Sequence, residues 1–521
     1  MPPSSVHAAM TPSSRPIRFF HRGEIREVQH LPTTTTVLQY LREHAHCSGS
    51  KEGCAEGDCG ACTVLVGSLD ASGERLALRN VNACIQFLPT LDGQALFTVE
   101  DLGGAQDLGP VQQALVDCHG SQCGFCTPGF AMSLQASYER HCQAGTRPSR
   151  QALADDLAGN LCRCTGYRPI LDAGQRMFEI QPARRLDLAP ATAALQQFRA
   201  DPPLHYQAAS PAFGGRLDRF DAPRSLEDFA ALRETRPQAR LLAGATDIGL
   251  WVNKQFRDVG DLLYIGTVEA LKHIESTTLA DGRPALRIGA AASLEAAWGA
   301  LTEAVPALRE LWLRFASPPV RLAGTLGGNI ANGSPIGDGA PALIALGTEL
   351  LLRRGAQQRR LPLQDFYLDY MKNALQPGEF LEALLVPLPG PDTVLRAYKI
   401  SKRYDSDISA VCAVLSLDLE GDTVREARLA FGGMAAIVKR AAAAEAALRG
   451  QAWSEASAQA AAAALGQDFQ PMTDLRASAD YRLQVARNLI TRFWLETRPD
   501  NPLPAGATSV WQAAQHGSLS A

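Results

Sequence analysis

Apolar residues in the first hundred positions recur in short bursts of strand length. PIRFF (16–20) and IREVQH (25–30) read as strands joined at HRGE, and TTVLQYLREH then carries Val37, Leu38 and Leu41 at helical spacing. CTVLVGSL and LFTVEDL read as further strands of the same small sheet. Farther on the period changes. FAMSLQASYERH is helical, with Thr127 as its cap and Pro128 at its first position, and Ser149 caps a second helix through QALADDLAGN. Residues 180–210 mix Pro, Ala and charge without sustained pattern, which predicts a linker. RLLAGATDIGLW (240–251) is an apolar strand running into a Gly-containing turn, and 316–346 is a Gly-rich stretch ending in a helix. From 391 onward, VLRAYKISKR, ISAVCAVLSLDL and VREARLAFGGM read as strands, followed by helices over 436–465 and 472–495. Residues 1–14 and 500–521 read as loose tails.

At 521 residues the chain is long enough for three or four domains of about 150 residues each. Charged residues make up 20% and the net charge is −4, with no long single-sign block, so neither nucleic acid nor a membrane surface is a favoured partner. No apolar run approaches membrane-spanning length and the N-terminus lacks the apolar segment of a secretory signal, so the expected location is cytoplasmic. Thiols stay reduced there, and the twelve cysteines are too sparse for a disulfide-stapled fold. Crowded free thiols in such a compartment point to metal.

KEGCAEGDCGACTV (51–64) spaces Cys54, Cys59 and Cys62 as C-x4-C-x2-C, and Cys84 follows as the fourth thiolate of a plant-type [2Fe-2S] arrangement. A zinc site is the alternative, although it more often shows paired C-x2-C knuckles. The interleaved glycines suit a loop that must bring several backbone N–H groups close to cluster sulfurs. SQCGFCTPGF and NLCRCTGYRP supply a second set, Cys123, Cys126, Cys162 and Cys164. Standing alone, this set fits either zinc or a second cluster; beside a ferredoxin-type set, a second [2Fe-2S] cluster is the stronger reading. The helix starting near Pro128 turns its positive end toward Cys123 and Cys126, which favours bound thiolates by about 0.3–1 kcal/mol. Cys47, Cys118, Cys142 and Cys412 have no partner at ligand spacing and read as small packing residues.

Together, the plant-type set and the QCGFCTPG and NLCRCTGYRP motifs make residues 16–175 resemble the iron–sulfur half of the molybdenum hydroxylases, the family of xanthine dehydrogenases and aldehyde oxidases. The resemblance implies that the helical-domain cluster lies nearest a molybdenum cofactor, with Gln122 contacting its pterin, and that the ferredoxin-type cluster lies nearer a flavin. Without a G-x-G-x-x-G or P-loop fingerprint, the two Gly-rich stretches are weak signals by themselves. They resemble the family's FAD motifs, which implies FAD contacts at Leu241, Leu242, Ala243, Gly244, Ala245, Thr246, Asp247 and Ile248, and at Gly324, Thr325, Gly328 and Asn329. Asp338 matches the aspartate on the adenosine side, Lys399 a lysine near the flavin, and Phe315 an aromatic near its ring, with a core Phe as the rival reading. Ala245 and Gly337 depart from the Asn and Ser of many relatives.

The implied architecture is multidomain α+β: a β-grasp ferredoxin-like domain (15–103), an all-helical [2Fe-2S] domain (104–179), a linker (180–212), a non-Rossmann FAD-binding domain (213–390) and a C-terminal α+β domain (391–499). The one-chain relatives continue with molybdenum-binding domains, so the expectation here is the small subunit of a split xanthine dehydrogenase of bacterial type. A large molybdenum-cofactor subunit would partner it, in an α2β2 heterotetramer, with NAD+ as electron acceptor. No catalytic residue for the substrate is expected on this chain. An aldehyde or N-heteroaromatic hydroxylase with the same cofactors, and a non-enzymatic zinc scaffold, are the rival readings.

Overall fold

The structure is a computed structural model that describes residues 14–504 and 507–508; most of the two expected tails lies outside the described residues. The chain forms two compact units, one comprising residues up to Glu269 together with Ser317–Gly324, the other Ala270–Ala316 and the residues from Thr325 onward.

In the first unit a five-stranded sheet has the order Glu24–Val28, Ile17–His21, Ala95–Phe97, Thr63–Leu69, Leu76–Asn82. Alternation along its strands feeds two cores. Ile17, Phe19, Val64 and Val66 pack with Val37, Leu38 and Leu41, while Phe20, Leu65, Ala95 and Phe97 pack on the other side with Phe130, Leu134 and Tyr138. The sheet is therefore covered on both faces, and its inner strand Thr63–Leu69 reads as a nearly continuous apolar run. A capping box between Thr36 and Gln39 starts the predicted helix at Val37. From Tyr40 to His44 it widens into a π-turn, with Ala45 N–H donating to the Tyr40 carbonyl at 2.9 Å, and so delivers the chain into the cysteine loop.

Helices Pro110–Asp117, Thr127–Ala144, Arg150–Asp156 and Arg168–Arg176 form the second layer. Ser149 caps its helix as expected, accepting from Ala152 N–H at 3.1 Å. Thr127 does not cap: it is the first helical residue, its hydroxyl pairs with that of Ser121 at 2.7 Å, and Cys126 occupies the cap position. The expected linker 180–212 is likewise more ordered than its pattern suggests. It contains helix Ala189–Phe198, whose Ala191, Ala194, Leu195 and Phe198 are buried, and strand Leu204–Ser210. That strand opens a four-stranded sheet with Arg216–Ala222, Leu262–Tyr264 and Arg240–Leu242, sharing a core with the first sheet through Leu204, Tyr206, Phe220 and Leu262.

The second unit carries a five-stranded antiparallel sheet in the order Ile274–Thr278, Pro284–Gly289, Phe380–Pro387, Glu349–Arg354, Gln357–Pro362. A four-stranded sheet follows, from Thr393–Ile400 through Lys439–Arg440, with helices Ala442–Leu448, Glu455–Asp468 and Ala479–Thr497. Every residue of helix Gly339–Leu346 is buried, as an all-apolar helix requires. The chain is thus a multidomain α+β protein.

Candidate functional site

Strand register assembles the first cysteine set. Thr63 pairs with Asn82, so Cys62, just before one strand, lies beside Cys84, just after the other; Ala83 N–H donates to the Cys62 carbonyl at 3.3 Å. Cys62 and Cys84 are buried, Cys54 and Cys59 half-buried, and Cys59 N–H donates to Cys54 Sγ at 3.4 Å. Hydrogen bonds from the Cys59 and Cys84 thiols hold Cys54 far below the ordinary thiol range, and the Cys84 thiol likewise lowers Cys62. Cys59 and Cys84 are pushed up by these same pairings, reinforced by burial. Four sulfurs this close in a protein interior share protons when alone; only bound cations let all four ionise.

In the second set, Cys123 and Cys164 Sγ lie 3.6 Å apart and both are exposed, whereas Cys162 is buried and Cys126 half-buried. Burial, followed by the Cys162 sulfur, pushes the Cys126 thiol up to about 12. Burial works against ionising Cys162 too, yet the Thr165 hydroxyl, 3.2 Å from its Sγ, and the Thr165 and Cys164 amides hold it below the ordinary range. Among the described residues no three His, Cys, Asp or Glu side chains form a group suited to a single metal ion. The sulfurs of the second set meet in pairs, Cys123 with Cys164 and Cys126 with Cys162; in the first set Cys54 meets both Cys59 and Cys84, and Cys84 also meets Cys62. A [2Fe-2S] cluster takes four thiolates, two per iron, which both sets can supply.

The two sets are tied together. Leu161 N–H donates to the Cys59 carbonyl at 3.0 Å, and the Asn160 carboxamide, held by the Ser133 hydroxyl at 2.6 Å, donates to the Gly60 carbonyl at 3.1 Å. Gly60 has φ +69°, and a Cβ there would come within 2.2 Å of the Gly159 carbonyl oxygen, so only glycine permits this approach. On its other side the first cysteine loop is gripped by Asn253, whose amide donates to the carbonyls of Ala55 at 3.2 Å and Cys84 at 2.7 Å. Gln122, expected to reach a pterin, is exposed beside Cys123.

Leu241 and Leu242 end a short strand; the turn Ala243–Asp247 follows, and Ile248 opens the helix that carries Asn253. Leu242 and Ala245 are buried, Leu241, Ala243, Gly244, Thr246 and Ile248 half-buried, and Asp247 exposed. Among the described residues none accepts a hydrogen bond from the backbone N–H groups of Ala243 through Asp247, which leaves consecutive donors open for an anion. Gly244 brings this turn against Ala323 and Gly324: a Cβ would lie 2.0 Å from the Ala323 carbonyl oxygen.

The motif from Thr325 differs. Leu326 and Gly327 N–H donate to the carbonyls of Ala292 and Ala290, Gly328 N–H to the Thr325 hydroxyl at 3.0 Å, and Asn329 N–H to the Thr325 carbonyl. These donors are spoken for, so side chains and exposed edges are what this turn can offer a cofactor. Phe315 is buried, its ring 5.8 Å from Trp298, as a core residue. Asp338 and Lys399 meet each other: Lys399 Nζ donates to Asp338 Oδ2 at 2.5 Å, and the Ser409 hydroxyl takes Oδ1 at 2.5 Å. Their side chains are 7% and 1% exposed. Cys412, nearby, is held as a thiol well above its usual range by burial and then by the Asp338 charge. The 401–409 segment is anchored at a second point by Arg314, which donates to the Tyr404 carbonyl at 3.1 Å and stacks on its ring at 4.4 Å.

Sequence reading missed Asn82, Asn160, Thr165, Asn253, Ser409 and Arg314. Asn82, Asn160 and Thr165 flank the cysteines closely enough to be found that way; Asn253, Ser409 and Arg314 are distant in sequence from groups they serve.

Family models match in the order read from the motifs: a "2Fe-2S iron-sulfur cluster binding domain" over residues 19–88, a "[2Fe-2S] binding domain" over 98–175, an "FAD binding domain in molybdopterin dehydrogenase" over 217–389 and a "CO dehydrogenase flavoprotein C-terminal domain" over 396–497. The chain is similar to the xanthine dehydrogenase of Emericella nidulans, 31% identical over 531 residues, covering 92% of this chain and 38% of that protein. It is also similar to the xanthine dehydrogenase of Drosophila subobscura, 32% identical over 458 residues, covering 77% and 33%. The chain therefore spans about a third of the length of the relatives it matches. Among solved structures, a carbon monoxide dehydrogenase from Hydrogenophaga pseudoflava is 29% identical, with 52% of this chain and 94% of that chain covered and a TM-score of 0.49.

Proposed function

The chain belongs to the molybdenum hydroxylase family as an iron–sulfur and FAD-domain member, and from that premise we propose that it is the electron-transfer subunit of a xanthine dehydrogenase, delivering electrons from a molybdenum-cofactor partner to FAD and NAD+. When bound, two [2Fe-2S] clusters supply one-electron carriers and FAD the exchange with a two-electron acceptor. The observation that carries the reading is the direct Leu161 to Cys59 hydrogen bond between the two cysteine sets, which holds them in fixed register.

Each residue has a task within it. Cys54, Cys59, Cys62 and Cys84 hold one cluster and Cys123, Cys126, Cys162 and Cys164 the other. The open N–H groups of Ala243–Asp247 receive the FAD diphosphate, with Gly324 held against that turn. The Asp338–Lys399 pair, with both carboxylate oxygens already engaged, shapes the site by fixing the 401–409 segment. A partner on the side of the second set is supported by the exposure of Cys123, Cys164 and Gln122 beside two exposed aromatics, Phe125 and Tyr167. Pairing of two such heterodimers gives the α2β2 assembly. Among the described residues no helix is long and apolar enough to cross a membrane.

The test is co-expression with the molybdenum-cofactor partner. The complex should reduce NAD+ with xanthine, whereas this chain alone, loaded with iron and FAD, should reduce an artificial dye with NADH but not NAD+ with xanthine. Activity confined to aldehydes or N-heteroaromatics would move the substrate assignment, and zinc in place of iron would overturn the electron-transfer reading.

A further inference from the structure

Asn82 is 2% exposed, and neither its side-chain nitrogen nor its side-chain oxygen has a hydrogen-bond partner among the described residues. Buried carboxamides are nearly always satisfied, so an orphaned one signals a group that belongs beside it. Its surroundings identify that group. Asn82 stands two residues before Cys84 and opposite Thr63, the neighbour of Cys62, in the sheet. Its backbone carbonyl accepts from Ile85 and Gln86 N–H at 3.2 and 3.3 Å, which pins the turn that presents Cys84. Thr63, the other polar side chain at this level, is committed: its hydroxyl donates to the Gly60 carbonyl at 2.7 Å and accepts from Asn160 at 3.3 Å. The carboxamide faces the cysteine loop: a Cβ built on Gly57, between Cys54 and Cys59, would lie 3.7 Å from its side-chain oxygen.

We propose that Asn82 is the side-chain hydrogen-bond donor to the sulfur shell of the cluster held by Cys54, Cys59, Cys62 and Cys84, and that it sets the reduction potential of that cluster; this rests on the [2Fe-2S] reading of the set. An N–H aimed at ligand sulfur stabilises the more negative, reduced form and so raises the potential. Thr165 plays the matching part at the other set, where its hydroxyl lies 3.2 Å from Cys162 Sγ. The two donors differ in setting: the amide is sealed in the core and the hydroxyl is half-buried, so the buried one acts with less screening by water.

The experiment is a redox titration of the assembled holoenzyme followed by EPR, with each cluster read by its own signal. Asn82→Leu keeps the bulk and removes the donor. The first cluster should become harder to reduce by about tenfold in equilibrium, 59 mV for a one-electron couple, while the second is unmoved. Asn82→Ala, which removes the amide without adding bulk or charge, should shift the same signal in the same direction. Thr165→Val should move only the other signal. An unchanged first potential in both Asn82 variants with full iron overturns the proposal, and so does loss of that cluster from both, which would make Asn82 purely structural. A wild-type protein without two [2Fe-2S] signals would instead refute the cofactor reading beneath it.

Discussion

The backbone N–H of Leu161 donates to the carbonyl of Cys59 at 3.0 Å, so a residue bonded to Cys162 in one cysteine set is joined to a member of the other by a single hydrogen bond. Asn160 secures that junction by donating to Gly60 and Thr63 and accepting from Ser133, all in the interior. Asn160→Ala leaves those partners unsatisfied, and the expected loss is about 1–3 kcal/mol. Thermal or denaturant unfolding of the holoprotein checks it, and an unchanged midpoint would mean that the junction is held by packing alone.

If the eight cysteines serve two clusters as proposed, Cys62→Ser and Cys164→Ser should each remove a different cluster signal from the EPR spectrum. Loss of the same signal from both variants would show that the eight cysteines are divided wrongly.

Asp338 and Lys399 were separate cofactor contacts by resemblance; in the fold they neutralise each other. Removing one partner of a buried pair strands the other charge, at a cost of about 3–5 kcal/mol. Asp338→Asn and Lys399→Met should therefore be comparably destabilising, and the double variant should cost clearly less than their sum. Flavin content measured alongside stability separates the roles: FAD loss from Asp338→Asn with no loss of stability would identify a direct contact.

A pH dependence follows from His21, which is 1% exposed, with Nδ1 3.1 Å from the Leu96 carbonyl and Nε2 3.7 Å from Cys47 Sγ. Burial, aided by Arg26 and Arg22, holds it below its ordinary pKa of 6.5, against the Leu96 carbonyl and Asp101. The fold thus favours neutral imidazole. This contribution is complete above the unfolded pKa and is lost as pH falls toward the folded one. His21→Gln should flatten the fall in melting temperature between about pH 7.5 and about pH 5.5, since no proton is then taken up on unfolding. A variant with the same slope as wild type would exclude His21 as its source.

Much of this was legible because the chemistry is local. Cysteine spacing is a one-dimensional record of which thiols a loop brings together, and strands such as Thr63–Leu69 and Val411–Glu420 announce themselves by apolar runs. The misreadings share a different cause. Helix Ala189–Phe198 buries small residues, Ala191 and Ala194, beside Leu195, so its apolar stripe is faint in composition although its packing is tight. Thr127 has the chemistry of a cap, but the chain reaches helical geometry one residue earlier because Cys126 must sit at the cap position. Asn253 and Ser409 act on partners far along the chain, and no local pattern encodes that distance.

The turn at Gly244 and Ala245 offers two adjacent substitutions of opposite expected sign. At Gly244 an added methyl would lie 2.0 Å from the Ala323 carbonyl oxygen, which is backbone and cannot swing aside. Gly244→Ala should separate the turn from Ala323–Gly324, lowering stability and, with it, flavin retention. Ala245 sits at φ +59°, a conformation costing an L-residue roughly 1–2 kcal/mol. Glycine removes that strain but adds about 0.4–1 kcal/mol of unfolded-state entropy, so Ala245→Gly should be neutral to slightly stabilising. The order of melting temperatures expected is Ala245→Gly and wild type close together, then Gly244→Ala well below. Gly244→Ala with wild-type stability and full flavin would show that the turn does not need its close approach to Ala323, and would move the open N–H groups of Ala243–Asp247 out of the cofactor site.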